Sequence, residues 1–302
     1  MNKIHNKEVP MPMPTLAQYI TFQNLVETGS FTATGIKMNL TQSSISHTIS
    51  NLENELGLSL FHRTQKQLSL TEEGKIVYRH ILKILTAQGA LENEIADLKG
   101  LLIGTVRIGV LPSVSITFLP SILAYFEKNY PGIKIEISEG NYDQIEEWLL
   151  SCLIDVGFLS ATAPVKAEFE ELLNDPLVCI ISTDHRLAEF TTIEVEQLAD
   201  ERWIMPKRSI DRDVTKLLAK EKIPMKVVYE MEVDQAIISM VSENLGISIM
   251  PEMLLSVLPP KIKKLFFKKN YSRTIGIAYL KGIKLSSGAE KFVEITKKII
   301  GK

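Results

Sequence analysis

The stretch from Thr41 to Gly57 constrains this chain more tightly than any other. Thr41 is a good helix N-cap and Gly57 a good stop, and between them Ile45, Ile49, Leu52 and Leu56 recur at spacings of four, three and four. That period puts all four on one face of a helix, a face that must be buried. The other side offers Gln42, Ser43, Ser46, His47, Ser50, Asn51 and Asn54. These are mostly short or amide side chains, able to hydrogen-bond and almost without charge. A face meant only for water more often carries Lys and Glu, which favour helices better than Ser and Asn. The choice suits close approach to base edges and phosphates in a major groove, with a plain solvated face as the alternative.

The flanking segments add context. Leu16 to Thr28 carries Leu16, Tyr19, Ile20, Phe22 and Val26 in a broad helical stripe and stops at Gly29. Ser30 caps a second short helix that ends around Met38, and Asn39-Leu40 makes the turn into the third. After Gly57, Ser59-Leu60-Phe61 and Gln67-Leu68-Ser69-Leu70 read as two short strands. Between them lies Arg63-Thr64-Gln65-Lys66, a hairpin tip with two cations, such as a wing reaching a phosphate backbone would have.

Gly29-Ser30-Phe31-Thr32, the run from Leu40 to His47, the run from Leu52 to Gly57, Leu60-Phe61-His62-Arg63-Thr64 and Leu70-Thr71-Glu72-Glu73-Gly74 together resemble the LysR-type transcriptional regulators in order and spacing. Two positions depart from the family pattern. Thr34-Gly35 replaces a usual pair of alanines, at a cost of about 1 kcal/mol for a helical Gly, and His47 stands where Arg is frequent.

A long helix is expected from about Glu72 to Leu98. Val77, Ile81, Ile84, Gln88, Leu91, Ile95 and Leu98 alternate spacings of four and three, a coiled-coil seam interrupted once by Gln88. The alternative is a helix packed on its own domain. Dimerisation is preferred, because two half-sites need two reading helices at fixed separation, and the resemblance implies the same linker-helix dimer. Charge sharpens the point. Residues 1–100 hold nine Lys and Arg against nine Asp and Glu, so a general basic footprint is missing. DNA would be held by a few well-placed cations and helix N-termini, in two copies.

From Ile103 the pattern changes. Strands at Thr105–Val110, Ile133–Ser138, Ile154–Leu159, Leu177–Ser182 and Trp203–Met205 alternate with helices at Pro120–Asn129 and Tyr142–Leu150, the mark of doubly wound α/β units. Gly132-Ile133-Lys134-Ile135, Ile154-Asp155-Val156-Gly157-Phe158, Asp175-Pro176-Leu177-Val178 and the run from Asn244 to Pro251 are similar to the family's effector domain. The resemblance implies two Rossmann-like lobes like those of periplasmic solute-binding proteins, crossed near Ala161–Lys166 and Arg273–Gly276. The expected organisation is a flexible leader (1–14), a winged helix-turn-helix (15–71), a linker helix (72–100) and an effector-binding domain (103–302). Lobe I spans about 103–162 and 275–302, and lobe II about 167–272.

Position by position, the resemblance assigns base-edge reading to Gln42, Ser43, Ser46 and His47; Ser50 and Thr64 are further DNA-binding candidates with no separate role assigned. Gln can pair bidentately with adenine, while Ser is permissive. Arg63 and Lys66 are cast as phosphate anchors, which position without specifying sequence. For an effector, the run Leu111-Pro112-Ser113-Val114-Ser115 reads as a loop between a strand and a helix, where hydroxyls and backbone N–H groups favour an anion. The resemblance points there to Ser113 and Ser115, with Asn141 and Ser160 from the same lobe and Pro206, Lys207 and Arg208 facing them. Each serine could instead be a helix cap, and the two cations a solvated loop. The effector is expected to be a small carboxylate- or phosphate-bearing metabolite whose binding changes the angle between the lobes and so the spacing or tilt of the paired DNA readers.

Competing functions find less support. No GxSxG, GxxxxGK[ST], HExxH or post-strand GxGxxG occurs, and His185 is the only histidine beyond residue 80, so no enzyme and no metal or other cofactor is expected. Cys152 and Cys179 form no CxxC pair and read as buried core thiols. A transport-type solute-binding protein would need export, and residues 1–14 lack an apolar signal core. Cytoplasmic location is therefore expected, with duplex operator or promoter DNA, an anionic effector and copies of itself as partners. The dimer comes from the seam, and a tetramer only from the resemblance. RNA polymerase stays open as a further partner.

Overall fold

The computed structural model describes residues 13–64, 67–161, 167–207 and 212–301, in two units, Met1–Leu91 and Glu92–Lys302. In the first, local capping sets three helices: α1 (Leu16–Thr28), α2 (Phe31–Met38) and α3 (Gln42–Leu56). Thr15, Ser30 and Thr41 cap them with side-chain oxygens, and Gly29, Asn39 and Gly57 end them with left-handed backbones. Phe22, Leu25, Ile45, Ile49, Leu52, Leu60, Phe61 and Ile81 form the core. The apolar stripe of α1 therefore differs from expectation: Leu16 and Ile20 face outward, and Phe22 and Leu25 are fully buried. Gly35 is less a softening of α2 than a packing requirement. A Cβ there would lie 2.7 Å from the Leu40 carbonyl oxygen.

Strands β1 (Phe61–Thr64) and β2 (Gln67–Leu70) pair antiparallel, with Thr64 opposite Gln67. The first strand thus starts later than expected, at Phe61 rather than Ser59, and takes in Arg63 and Thr64 as strand rather than tip. Glu53 causes this, since its Oε1 accepts from the backbone N–H of Leu60 at 2.8 Å and anchors the strand entry to α3. Helix α4 (Glu72–Leu98) carries the expected seam, but its two halves differ. Val77 and Ile81 pack into the first unit's own core, whereas Ile84, Leu91, Ile95 and Leu98 are exposed in the single chain.

The second unit begins with β3 (Gly104–Val110), α5 (Pro112–Thr117), α6 (Leu119–Asn129), β4 (Ile133–Glu139), α7 (Tyr142–Leu150) and β5 (Val156–Ser160). It continues with β6 (Ala167–Ser182), β7 (Thr192–Ile193), β8 (Arg202–Pro206), α8 (Arg212–Glu221), β9 (Lys226–Met231), α9 (Asp234–Ser242) and β10 (Ser248–Pro251). It closes with β11 (Ile262–Phe267), β12 (Ser272–Leu280) and α10 (Ser287–Ile300). Parallel β4-β3-β5 lead into antiparallel β12 and β6, and β6 carries β10 and β11 at its far end. Strand β6 pairs with β12 over Ala167–Pro176 and with β10 over Leu177–Ile180, so one strand serves both lobes. One lobe packs on Ile108, Val156, Phe158 and Phe292, the other on Cys179, Trp203, Leu217 and Ile249.

Two further expectations change. The segment Leu111–Ser115 is no loop: Pro112 sits at the first turn of α5, where its fixed φ and missing N–H cost nothing. Cys152 is exposed, not a core thiol, because it occupies the left-handed turn (φ 59°) after α7. Cys179 is buried, and burial pushes its thiol pKa upward. Among the described residues no helix is long and apolar enough to cross a membrane.

Candidate functional site

The polar side of α3 is open to solvent. Gln42, Ser43, His47 and Asn54 are exposed, and Ser46, Ser50 and Asn51 are half-buried, while Ile45, Ile49 and Leu52 opposite have no exposure. Asn51 Nδ2 lies 3.3 Å from His47 Nδ1, a pair one helical turn apart that orients the ring. The hydroxyl of Thr41 lies 2.9 Å from that of Ser43. Arg63 and Thr64 lie on β1 of the same unit by their backbone. Lys66 lies outside the described residues.

In the second unit a cavity of about 360 Å³ opens between the lobes. Leu111, Pro112, Ser113, Glu139, Gly140, Asn141, Tyr142 and Gln144 line it from one side. Lys207, Glu232, Asp234 and Leu254 line it from the other, with Arg273 between. Three of the expected effector residues, Ser113, Asn141 and Lys207, come together here. Ser115, Ser160 and Pro206 do not line it, and Arg208 lies outside the described residues. Ser115 belongs to the half-buried body of α5, and Ser160 is buried in β5. Asn141 is also a helix cap: its Oδ1 accepts from the Gln144 N–H, and Gln144 Oε1 accepts from the Asn141 N–H, both at 3.0 Å.

Ser113 is not a cap but one end of a buried network. Arg273 donates from Nη2 to Ser113 Oγ (2.8 Å), from Nη1 to the Tyr142 hydroxyl (3.0 Å) and from Nε to Asp175 Oδ2 (2.9 Å). Tyr142 in turn donates to Asp213 Oδ2 across the lobes at 2.8 Å. Burial pushes the Asp175 carboxyl pKa upward, against the pull of Arg273 and the N–H of Met253. All its hydrogen-bond partners are donors, which is the environment of a carboxylate. Beside this network Arg212 of α8 pairs with Asp143 and Glu146 of α7, and its guanidinium lies 5.9 Å from the centre of the Tyr142 ring. Lys207 pairs with Glu232 at 2.5 Å, which raises the lysine pKa and lowers that of the glutamate.

Sequence reasoning missed Glu139, Gln144, Tyr142, Glu232, Asp234 and Arg273. For Gln144 a signal existed, since Asn141 three residues before Gln144 is a capping-box pattern. For Arg273 none did, because its ion-pair partner lies 98 positions away.

Comparison with known proteins places both regions. Residues 16–75 match the model of bacterial regulatory helix-turn-helix proteins of the lysR family, and residues 99–299 match that of the LysR substrate-binding domain. The uncharacterized HTH-type transcriptional regulator YvbU of Bacillus subtilis is 31% identical over 293 residues, 95% of this chain and 99% of that one. Full-length CbnR, solved in complex with its target DNA, superposes with a TM-score of 0.71 at 20% identity, over 94% of this chain and 99% of that one. The regulatory domain of Synechocystis CcmR in complex with 2-PG gives a TM-score of 0.61 at 24% identity, over 65% of this chain and 97% of that domain.

Proposed function

The chain belongs to the lysR family of bacterial regulatory helix-turn-helix proteins, and from that premise we propose that α3 reads operator DNA under the control of a small molecule held in the inter-lobe cavity. It is a DNA-binding transcriptional regulator with an effector-binding domain. The observation that carries the assignment of readers is the exposed, uncharged polar side of α3 above a fully buried apolar side. Gln42, Ser43, Ser46, His47 and Ser50 contact base edges or adjoining phosphates, and Arg63, Thr64 and Lys66 of the hairpin hold the backbone. The exposed half of the α4 seam, Ile84 to Leu98, pairs with a second copy, which supplies the second reader.

The effector occupies the cavity beside Ser113, Asn141 and Lys207 and carries an anionic group; the CcmR regulatory domain, of similar fold, was solved in complex with 2-PG. A volume of about 360 Å³ lies in the range of small-molecule sites. Control follows from differential affinity for two lobe arrangements, with a coupling of about 1–3 kcal/mol. The chain Ser113–Arg273–Tyr142–Asp213 supports this reading, since a ligand that draws on Ser113 disturbs a bond reaching the other lobe. The test is a gel shift on DNA upstream of the protein's own gene. His47→Ala and Arg63→Ala each lower affinity at least tenfold without unfolding the protein, and normal affinity in both rejects the assignment.

A further inference from the structure

Helix α4 runs past the border between the two units, and from Glu92 onward its residues belong to the second. Its last turns are fastened there by polar side chains. Asn93 is only 8% exposed, although Glu92 and Glu94 on either side of it are exposed. Its Nδ2 donates to the carbonyl oxygen of Thr105 at 2.9 Å, and its Oδ1 accepts from the Thr105 N–H at 3.1 Å. One amide thus pairs both backbone groups of the second residue of β3. Gly104 makes the approach possible. It holds a φ of 137°, and a Cβ there would lie 2.3 Å from Asn93 Oδ1.

One turn further on, Asp97 Oδ2 accepts from the N–H of Ser287, the first residue of α10, at 3.0 Å. A carboxylate is favoured at a helix N-terminus. Gly100 then ends the helix with a left-handed φ of 68°, and the Leu101 N–H returns to the Ala96 carbonyl at 3.0 Å. Strand β3 and helix α10 share one core, through Ile108 and Phe292. The end of α4 is therefore bound to both the first strand and the last helix of the same lobe. Burying an amide is costly unless its hydrogen bonds are made, and here both ends of the amide are satisfied. A helix end left free to swivel has no use for such a joint.

We propose that Asn93, seconded by Asp97 and admitted by Gly104, is a positioning residue for control. It makes the end of α4 and the lobe of β3 and α10 one rigid body. A change of lobe angle then passes into α4 instead of being lost in the connection at 98–103. This rests on the reading that an effector moves the lobes.

The experiment uses the full-length protein with two spin labels, one on exposed Cys152 of the same lobe and one on Glu94→Cys. Dilution into unlabelled protein lets distances within one chain dominate. A single narrow distance distribution is expected, with its width at least doubled by Asn93→Ala and, separately, by Gly104→Ala. Should Asn93→Ala lose amide protection throughout the lobe, Asn93→Asp takes its place, since it keeps the acceptor and loses the donor. On circularly permuted DNA fragments from upstream of the gene, the Asn93 variant should keep its affinity within about threefold and change the bend. Distributions that stay narrow in both variants overturn the joint. That measurement needs neither DNA nor effector, so its failure leaves the assignments of α3 and of the cavity as they were. Broader distributions with an unchanged bend make the joint merely structural and overturn its part in control.

Discussion

The polar side of α3 and the cavity between the lobes are two recognition surfaces built on opposite plans. The α3 surface comes from one continuous run of residues, exposes uncharged groups and leans on a dry apolar underside. The cavity draws single residues from Leu111 to Arg273, and its two cations among the described residues are each held by a carboxylate. A reader of DNA must meet many sequences with fixed geometry, so its groups stay available and stiffly mounted. A sensor must change state when occupied, so its groups are held in bonds that a ligand can exchange. The difference predicts where substitutions act through stability and where through binding alone.

The largest effect is expected at Asp175. Removing it in Asp175→Ala strands the Arg273 guanidinium, only 5% exposed, without its counter-charge. Breaking one partner of a buried pair costs about 3–5 kcal/mol. Hydrogen exchange at the amides of β6 and β12 should accelerate accordingly, while exchange in α3 stays unchanged. Equal acceleration in α3 would break the contrast between the two regions.

Next comes the underside of α3. Leu52 is fully buried, so Leu52→Ala should cost about 2–5 kcal/mol, measured as protection of α3 amides. His47→Ala, one face away and exposed, should change stability by less than about 0.5 kcal/mol while lowering DNA affinity. A His47 variant that loses stability as Leu52→Ala does would show the polar face to be structural.

This contrast also explains what the sequence made readable. Thr41, Ile45, Ile49, Leu52 and Gly57 fix α3 by local rules of capping and period, so the helix, its faces and its end follow from neighbours in the chain. The cavity depends on β6 changing partners near Pro176, on β12 returning antiparallel to it, and on Asp175 meeting Arg273. No local pattern encodes such pairings, and Ser115 and Ser160 were as plausible from sequence as Ser113. Pro112 could have signalled the helix α5 that stands where a loop was expected, since proline is favoured at a first helical turn. The exposure of Leu16 and Ile20 on α1 follows from which side the other helices take, which period alone leaves open.

A smaller effect is expected at the inter-lobe pair. Arg212 is 29% exposed and Glu146 19%, so Arg212→Ala should cost no more than about 1 kcal/mol, well below a fully buried pair. Its signature is local. Amides of α8 should exchange faster, and the difference should shrink in high salt, where the wild-type pair is itself screened. Unchanged α8 exchange would mean that the Arg212 pairs add nothing to the Tyr142–Asp213 bond in holding α8.

The smallest expected effect uses titration. The Tyr279 phenol of β12 donates to Glu170 at 2.8 Å, and this bond, with partial burial, pushes its pKa up to about 12. A proton retained by the folded state stabilises it. Because the folded value lies above the ordinary value near 10, that contribution is complete below about pH 10 and is lost as pH rises through about 12. Burial also raises the Tyr78 and Tyr271 phenols, so ultraviolet titration should show a late-ionising amplitude in the wild type that falls by one phenol in Tyr279→Phe. The uncharged reading side of α3 offers no such group, so the substitution should leave DNA affinity at neutral pH as it was. If the late amplitude is undiminished in the variant, other tyrosines carry all of it and the Glu170–Tyr279 bond is not the cause.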